Sequence, residues 1–267
     1  MTTVAKKRIF YVDSSQRNSG TSSAFSITLQ VPANEDYNRI VVLECVIPIS
    51  YYLVPSGYNT FSLKEGNTSV LISVPSGNYN INSFCSVVGT LLTQNSPNTW
   101  TYALAYNNGY TSNFNGLITY TVSGNNSQPS FIFYGTNYLN EQFGFNQGST
   151  VQFSGSSLTS VNVVNFINEP VLFIHSDLSD NGNNDVLQGV YQGNASQLST
   201  ISYQATEGLL HAKNLKASKN LVANFYITDV DDFPINLNGQ DWTMTLMLYK
   251  EDDFMKRFLK TLIENSG

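Results

Sequence analysis

The side chains that most often carry catalysis are few in this sequence and lie far apart. The two histidines are His175 and His211, and the two cysteines are Cys45 and Cys85. Neither histidine has a second histidine four residues away, so the sequence offers no helix-borne zinc pair. A nucleophilic pair of either cysteine with His175 is disfavoured, because reactive thiols need a polar, electropositive setting and both cysteines lie in apolar runs. We predict that both are buried free thiols.

Motifs for nucleophiles and phosphate binding are missing as well. The sequence contains no G-x-S-x-G, no Gly-rich phosphate loop, no G-x-G-x-x-G and no C-x-x-C. A carboxylate pair such as Glu141 and Glu169 stays open, since glycosidases use two carboxylates at a defined separation. An enzyme is therefore the least favoured class. We predict no catalytic, cofactor-binding or metal-binding residues and no cofactor.

Two acidic segments could hold calcium. The segment from Asp177 to Asp185 is rich in Asp, Asn and Gly, but its spacing does not fit an EF-hand loop and the bidentate Glu is missing. We therefore interpret it as a solvated loop. Asp229, Asp231 and Asp232 follow a predicted strand and are most simply turn formers.

Aromatic residues make up 13% of the chain. Most Tyr and Phe side chains fall on alternating faces, which favours a core role. Tyr51, Tyr52, Tyr58 and Tyr110 lie in predicted loops and are the candidates for a binding surface. Exposed Tyr is also typical of protein interfaces, so these residues do not distinguish a glycan partner from a protein partner.

The composition indicates a folded protein with a neutral polar surface. The 267 residues are 41% hydrophobic, and only 12% are charged, about half of the roughly 25% usual in soluble domains. The net charge is −6, and no Lys or Arg occurs between Lys64 and Lys213. Since nucleic-acid binding needs clustered cations, we exclude a specific nucleic-acid surface there. No apolar run approaches the ~20 residues of a membrane helix, and no apolar leader follows Met1. We expect a soluble protein made in a reducing compartment.

Alternating polarity predicts strands in the first and last parts of the chain. These strands are Arg8–Asp13, Ala24–Val31, Arg39–Ile47, Thr60–Leu63, Asn162–Ile167, Val171–Ile174, Val186–Tyr191, Leu198–Gln204, Asn220–Thr228 and Trp242–Tyr249. The turn Ile235–Gly239 has the Asn-Gly chemistry of a hairpin. Residues Met1–Lys7 are expected to form a flexible arm.

The middle of the chain has a different character. The spacing of its apolar residues predicts a helix over residues 83–94 with Asn82 or Ser83 as the N-cap. Strands are predicted at Val70–Val74, Thr99–Tyr106, Leu117–Val122 and Ser130–Tyr134, and a helical turn at Tyr138–Phe145.

A last amphipathic helix is predicted from Asp252 or Asp253. Phe254, Phe258 and Leu262 form its apolar stripe. We expect this tail to pack on its own domain or to dock onto a neighbouring subunit, with a membrane surface as a third alternative.

These elements predict a mainly β fold: an antiparallel β-sandwich of the single jelly-roll type with an inserted small α+β unit and a C-terminal amphipathic helix. The predicted bounds are residues 1–66 and 159–251 for the discontinuous jelly-roll domain, 67–158 for the insert and 252–267 for the helical tail.

Four segments, taken in order, resemble one protein family. They are Ile9–Asn18 with its Asp-Ser and Arg-Asn steps, Ile40–Pro48 followed by Tyr51 and Tyr52, Val74–Tyr79 with the strands and the Gln142–Phe145 passage after it, and Ile227–Asp229 with the Leu237-Asn-Gly turn before Trp242. The chain is similar to the single jelly-roll penton and minor capsid proteins of virophages, Polinton-type elements and large double-stranded DNA viruses.

The resemblance implies a non-enzymatic shell component of the virion, made in the host cytoplasm. Penton members close a ring of five copies at the icosahedral vertex, which implies a homopentamer in contact with the major capsid protein. We expect the cation-free insert to face outwards, and the basic arm and the loop with Lys213, Lys216 and Lys219 to face the interior or neighbouring capsomers. The alternative is a virion-surface β-sandwich that binds a glycan or a host receptor.

Overall fold

The structure is a computed structural model that describes residues 4–32, 34–106, 116–134, 139–167, 169–179, 185–193, 196–216 and 221–251. Within these ranges the chain forms seventeen strands and two α-helices. The strands are β1 (Val4–Asp13), β2 (Ser19–Gly20), β3 (Ala24–Leu29), β4 (Arg39–Pro48), β5 (Thr60–Glu65), β6 (Thr68–Ser73), β7 (Thr101–Tyr106), β8 (Ile118–Ser123), β9 (Ser130–Ile132), β10 (Thr150–Gln152), β11 (Ser157–Thr159), β12 (Val171–Ser176), β13 (Val186–Tyr191), β14 (Thr200–Gln204), β15 (Lys213–Asn214), β16 (Leu221–Thr228) and β17 (Thr243–Glu251). The helices are α1 (Ile81–Gln94) and α2 (Leu139–Phe143), and 3-10 turns span Ser14–Gln16 and Gly208–His211.

Contacts between residues divide the chain into two compact units. The roll unit consists of Met1–Tyr51 and Glu169–Gly267, and the insert unit consists of Tyr52–Asn168. Both boundaries of the insert lie outside the predicted bounds of 67 and 158. At the first boundary, β5 pairs with the insert strands β6 and β9. At the second, Val164 and Phe166 pack against the insert's core. Alternation along a strand does not show which sheet the strand joins, so the sequence misplaced both boundaries.

The roll unit is an antiparallel β-sandwich with the strand order of a jelly roll. One sheet has the order β1-β17-β4-β14, with β15 also paired to β4, and the other has the order β13-β12-β16-β3-β2. The chain changes sheet at every step from β1 through β3, β4, β12, β13, β14 and β16 to β17, except between β12 and β13. This alternation between two facing sheets is the jelly-roll pattern.

One hydrophobic core fills the space between these two sheets. It contains Ile40 and Leu246 from the first sheet and Ile174 and Phe225 from the second. Trp242 stands at one end of the core, where its ring meets Phe25 edge to face at 5.8 Å between centroids. The alternation predicted for the last strand holds, because one face of β17 is buried and the other is partly open.

The insert unit has its own, largely aromatic core. Its sheets have the orders β10-β9-β5-β6 and β11-β8-β7, and both helices pack with them around one cluster. At the centre, Tyr120 stacks on Phe143 at an interplanar angle of 3° and donates a hydrogen bond to its backbone oxygen at 2.8 Å. Fully buried Phe61, Phe131 and Phe133 surround this pair. Much of the aromatic content of the sequence is thus core.

The predicted helix of the insert begins earlier than expected. Its N-cap is Asn80, not Asn82 or Ser83. Asn80 Oδ1 accepts from the backbone N–H of Ser83 at 2.9 Å, and Ser83 Oγ accepts from the backbone N–H of Asn80 at 3.1 Å. This reciprocal capping box satisfies two N–H groups that the helix leaves free.

Three further predictions are wrong. Asn162–Ile167 is not a strand, because backbone N–H groups of Asn162 and Val164 reach single carbonyls of Gly144 and Gly116 instead of a neighbouring ladder. The Asn-Gly turn has the expected positive φ angles of 51° and 81°. However, it joins β16 and β17, which lie in different sheets, so it is no hairpin.

The third wrong prediction is the flexible N-terminal arm. β1 begins at Val4 and pairs with the end of β17, so residues 4–7 belong to a sheet. The predicted helical tail, residues 252–267, lies outside the described residues.

Candidate functional site

Loops from distant parts of the sequence meet at the end of the roll where β1 ends and β17 begins. We call this site the loop junction and define it by Ser14, Arg17, Ser50, Leu237, Asp241 and Trp242. It brings together residues of two segments that carry the family resemblance, and Ser50, which lies between Pro48 and Tyr51 of a third.

The first part of the junction is the 3-10 turn after β1. Asp13 caps this turn by accepting from the backbone N–H of Ser15 at 2.8 Å. The buried Ser14 hydroxyl donates to Asp241 Oδ1 at 2.8 Å and accepts from the backbone N–H of Trp242 at 3.0 Å. Arg17 Nη1 donates to the same Asp241 oxygen at 3.0 Å and to the Ser14 carbonyl at 2.7 Å. The Asp-Ser and Arg steps of the sequence therefore clamp the start of the last strand.

The second part is the turn before β17. The backbone N–H of buried Leu237 donates to Ser23 Oγ at 2.7 Å, and its carbonyl accepts from Ser50 Oγ at 2.6 Å. Asn238 Nδ2 donates to the Ser50 carbonyl at 2.6 Å. Ser50 stands just before the roll unit ends at Tyr51. The junction therefore fixes the point at which the chain leaves the roll for the insert.

The junction suits positioning and not bond-making chemistry. Its hydrogen bonds join side chains to backbone groups and to other side chains, which holds the loops in a single arrangement. Loops held by a rigid β scaffold are a common place for recognition surfaces.

His175 lies elsewhere in the roll, in a network that the sequence did not predict. It faces Tyr226 across β12 and β16, and the two rings stack at 4.5 Å with an interplanar angle of 9°. Its Nδ1 is 2.9 Å from Asp185 Oδ1, and its Nε2 is 2.9 Å from Thr228 Oγ1. Tyr226 donates its hydroxyl to the other Asp185 oxygen at 2.6 Å. Burial opposes ionisation of Asp185, but the hydrogen bonds from Tyr226 and His175 outweigh it and lower the pKa of this carboxyl.

The order Thr228–His175–Asp185 is that of a nucleophile, a base and an orienting carboxylate. Thr228 is only 2% exposed, so a substrate has no route to its hydroxyl. The Thr228 oxygen also lies 3.0 Å from the Asp229 carbonyl. The hydroxyl can therefore donate either to His175 Nε2 or to that carbonyl.

The two cysteines are buried and free, as predicted. Cys45 belongs to the roll unit and Cys85 to the insert unit. Burial raises the pKa of Cys45 to about 12 and that of Cys85 to about 11, which opposes thiolate chemistry. His211 lies on the exposed 3-10 turn before β15. Cys45, Cys85 and His211 take no part in the hydrogen-bond network of His175.

The acidic residues act locally. Asp177 Oδ1 accepts from the backbone N–H of Asn224 at 2.9 Å, whereas residues 180–184 lie outside the described residues. Asp229 accepts from the backbone N–H groups of Asp231 and Phe233, both at 2.9 Å, and so forms the predicted turn. Burial raises the pKa of Asp229. In the part of the chain that the structure describes, no group of three or more His, Cys, Asp or Glu side chains could hold a metal ion.

The candidate surface tyrosines separate into different environments. Tyr51 is buried and donates to Gln192 Oε1 at 3.2 Å, so its expected exposure is wrong. Tyr52 is exposed and Tyr58 is half-buried, whereas Tyr110 lies outside the described residues. The burial of Tyr51 was not predictable from its neighbours in sequence, because its partner Gln192 lies far along the chain, directly after β13.

The remaining residues considered in the sequence belong to different parts of the chain. Glu141 belongs to the insert unit, where it accepts from Asn165 Nδ2 at 2.9 Å, and Glu169 belongs to the roll unit. Lys213 is half-buried, Lys216 is exposed, and Lys219 lies outside the described residues.

The insert contains a buried carboxylate that sequence reasoning missed. Glu65 is 1% exposed. It accepts from Ser96 Oγ at 2.8 Å, from the backbone N–H of Asn98 at 2.9 Å and from the Tyr102 hydroxyl at 2.8 Å. These bonds tie the end of β5 to the loop between α1 and β7 and to β7 itself. A Glu just before Gly66 looks like a surface turn residue in sequence.

The insert also has an open groove of about 670 Å³ between α1 and β7. Its lining is uncharged and includes Asn82, Thr90, Gln94, Leu104 and Tyr106. Such a groove suits an uncharged polar ligand better than a phosphate or a nucleic acid. Among the described residues, the structure has no helix with the length and hydropathy to cross a bilayer.

The chain is similar in fold to solved structures. No protein-family model matches the chain, and no curated protein matches it. The crystal structure of the selenomethionine-labelled mavirus penton protein is similar to this chain with 11% sequence identity and a TM-score of 0.45. The match covers 92% of this chain and 100% of the penton chain.

Proposed function

We propose that this chain is a structural protein of a viral capsid, without enzymatic activity. More specifically, we propose a penton subunit that forms a homopentamer at the icosahedral vertex and contacts the surrounding major capsid protein in the virion. The observation that carries the proposal is the jelly-roll strand order of the roll unit. Eight-stranded jelly rolls occur in viral capsid domains, and also in lectins and cupins.

The loop junction favours the capsid alternative among these classes. Two of the four segments that resemble the penton and minor capsid family contribute to it, through the Ser14 turn and the Leu237–Trp242 turn, and Ser50 lies between Pro48 and Tyr51 of a third. Segments that are far apart in sequence share one set of hydrogen bonds. A family resemblance spread over such a site has a structural basis, because a change in one segment would disturb the others.

A shell subunit also needs side surfaces that can bind a neighbour. Five-fold rings use one patch against a different patch of the next copy. Exposed aromatic residues are typical anchors of such interfaces. Tyr11 and Tyr191 are 83% and 75% exposed. They lie on β1 and β13, which are edge strands of the two sheets, where a neighbouring subunit could reach them.

We further propose that the basic segment that begins with Lys213 in β15 faces the particle interior or a neighbouring capsomer and that the insert faces outwards. Lys216 is exposed in this segment. Changing Lys213, Lys216 and Lys219 together to Glu is expected to weaken assembly and leave the subunit folded. Unchanged assembly of this variant would refute the assignment of the segment.

The mass of the assembled protein tests the penton proposal. Native mass spectrometry and light scattering of the full chain are expected to show a pentamer. If the chain is monomeric alone, it is mixed with shells of the major capsid protein that lack vertices, and five copies per vertex are expected. A chain that neither forms pentamers nor occupies vertices is not a penton subunit.

The second candidate is a virion-surface module that binds a glycan or a receptor. The uncharged groove of the insert favours it. Binding of the full chain to a glycan array, lost in a Gln94→Ala variant and kept in a Gln240→Ala variant, would support this function. Equal binding by both variants would place the ligand elsewhere, and no binding would remove the glycan alternative.

A further inference from the structure

The outer face of the first sheet of the roll, opposite the core, carries an apolar patch. On β17 and its neighbours, directly opposed residues share a face of the sheet. Met247 is opposite Ile9 of β1 and opposite Val41 of β4, and Tyr249 lies two residues further along β17. We call Ile9, Val41, Met247 and Tyr249 the outer patch.

Burial within the outer patch is uneven. Val41 is 1% exposed and Tyr249 is 2% exposed, yet both lie on the face away from the core and belong to neither core cluster. Ile9 remains 45% exposed, and Met247 is half-buried. A sheet face that turns apolar residues outwards needs a cover, since exposed apolar patches mark interaction surfaces.

The chain itself offers a cover of matching length. β17 ends at Glu251 beside the outer patch, and residues 252–267 follow directly. Their sequence predicts an amphipathic helix with Phe254, Phe258 and Leu262 in one stripe. A helix over residues 254–264 would be about 16 Å long. β17 from Thr245 to Glu251 covers about 20 Å, so a helix that folds back along β17 spans the patch.

We propose that residues 252–267 fold back over the outer patch of their own chain, with the apolar stripe against Met247 and Tyr249. A linker of two or three residues makes the local concentration of the segment far higher than that of the same segment on another copy. Residues 252–267 of the same chain therefore occupy the outer patch. Lys256, Arg257 and Lys260 then face solvent. Tyr11 and Val46, further along the same face, stay free for other contacts.

Cysteine cross-linking tests which chain supplies the cover. The pairs Ile9→Cys with Phe258→Cys and Ile9→Cys with Leu262→Cys are oxidised and digested, and the linked peptides are identified by mass. A disulfide within one chain is expected from at least one pair. The control pair, Ile9→Cys with Lys260→Cys, points to the other side of the helix and is expected to stay reduced. Disulfides between chains, or none in either stripe pair, would overturn the proposal.

Proteolysis gives a second measurement on the full chain without new cysteines. Met247→Glu places a charge under the stripe and is expected to speed tryptic release of the segment by about tenfold or more, because a docked segment is cleaved only when it opens. The milder Ile9→Glu is measured in parallel, in case Met247→Glu disturbs the fold. Val222→Glu, on an exposed apolar residue of the other sheet, is the control. Equal release in all three variants would overturn the proposal.

Discussion

Ser14→Ala is the sharpest perturbation of the loop junction. The Ser14 side chain is fully buried and makes two hydrogen bonds, one to Asp241 and one from the backbone N–H of Trp242. The substitution removes one oxygen and leaves the Trp242 N–H without this acceptor. A buried donor that loses its partner costs about 1–3 kcal/mol. Asp241 is half-exposed and keeps Arg17, so it adds little.

We therefore expect the free energy of unfolding of the roll to fall by about 2 kcal/mol. With a urea m-value of about 2 kcal/mol/M for a unit of this size, the midpoint should fall by about 1 M. Ser15→Ala is the matched control, because Ser15 is exposed and its change should cost less than about 0.5 kcal/mol.

The assay uses the two tryptophans, of which Trp242 lies in the roll unit and Trp100 in the insert unit. In a Trp100→Phe background, urea unfolding followed by fluorescence reports on Trp242 alone. The Ser14→Ala midpoint should fall and the Ser15→Ala midpoint should not. Equal midpoints for the two variants would refute the claim that the Ser14 hydroxyl stabilises the junction.

Three further predictions concern single groups. Glu65→Ala removes the acceptor of the Asn98 backbone N–H and of the Ser96 and Tyr102 hydroxyls, so the insert should lose at least about 2 kcal/mol in urea unfolding read at its own tryptophan, whereas exposed Glu44→Ala should change little. Gly144→Ala should destabilise the insert more than Gly148→Ala, because both have positive φ but only at Gly144 would the new Cβ lie 2.6 Å from a backbone oxygen; equal losses of thermal stability would contradict this. The folded pKa of Asp185 is lowered. Its contribution to the free energy of unfolding is therefore complete above the unfolded pKa of about 4 and is lost as the pH falls through the folded pKa. The urea midpoint measured across this pH range should fall less steeply in Asp185→Asn than in the unchanged protein.

The strands that sequence patterns predict well are those with one face on a core. On β17, Met244, Leu246 and Leu248 are buried while Thr243 is exposed, and this period of two is visible in the sequence. The same signal misled at Asn162–Ile167, where Val164 and Phe166 pack on a core without any strand ladder. Alternating polarity indicates which residues are buried, but it does not show which strands pair with each other.

Contacts between distant residues were not predictable from the sequence. The hydroxyl of Ser14 meets Asp241, and Glu65 meets Tyr102, over long stretches of chain. Each residue type is compatible with an exposed turn, and only the fold selects the buried partner. Likewise, the Asn-Gly pair indicates a turn correctly, but the strand order decides whether the turn joins paired strands or two sheets.

The order of strands along the chain has a consequence for folding during synthesis. The insert unit is continuous in sequence, whereas β1 pairs with β17, joining Asp13 to Thr243. At a ribosome speed of about 5–20 residues per second, the insert takes of the order of ten seconds to emerge. It can close its aromatic core in that time, while β1, β3 and β4 still lack their later partners. Nascent chains stalled before β17 should therefore hold a protease-resistant insert beside an open roll, whose unpaired edges would need a chaperone's protection.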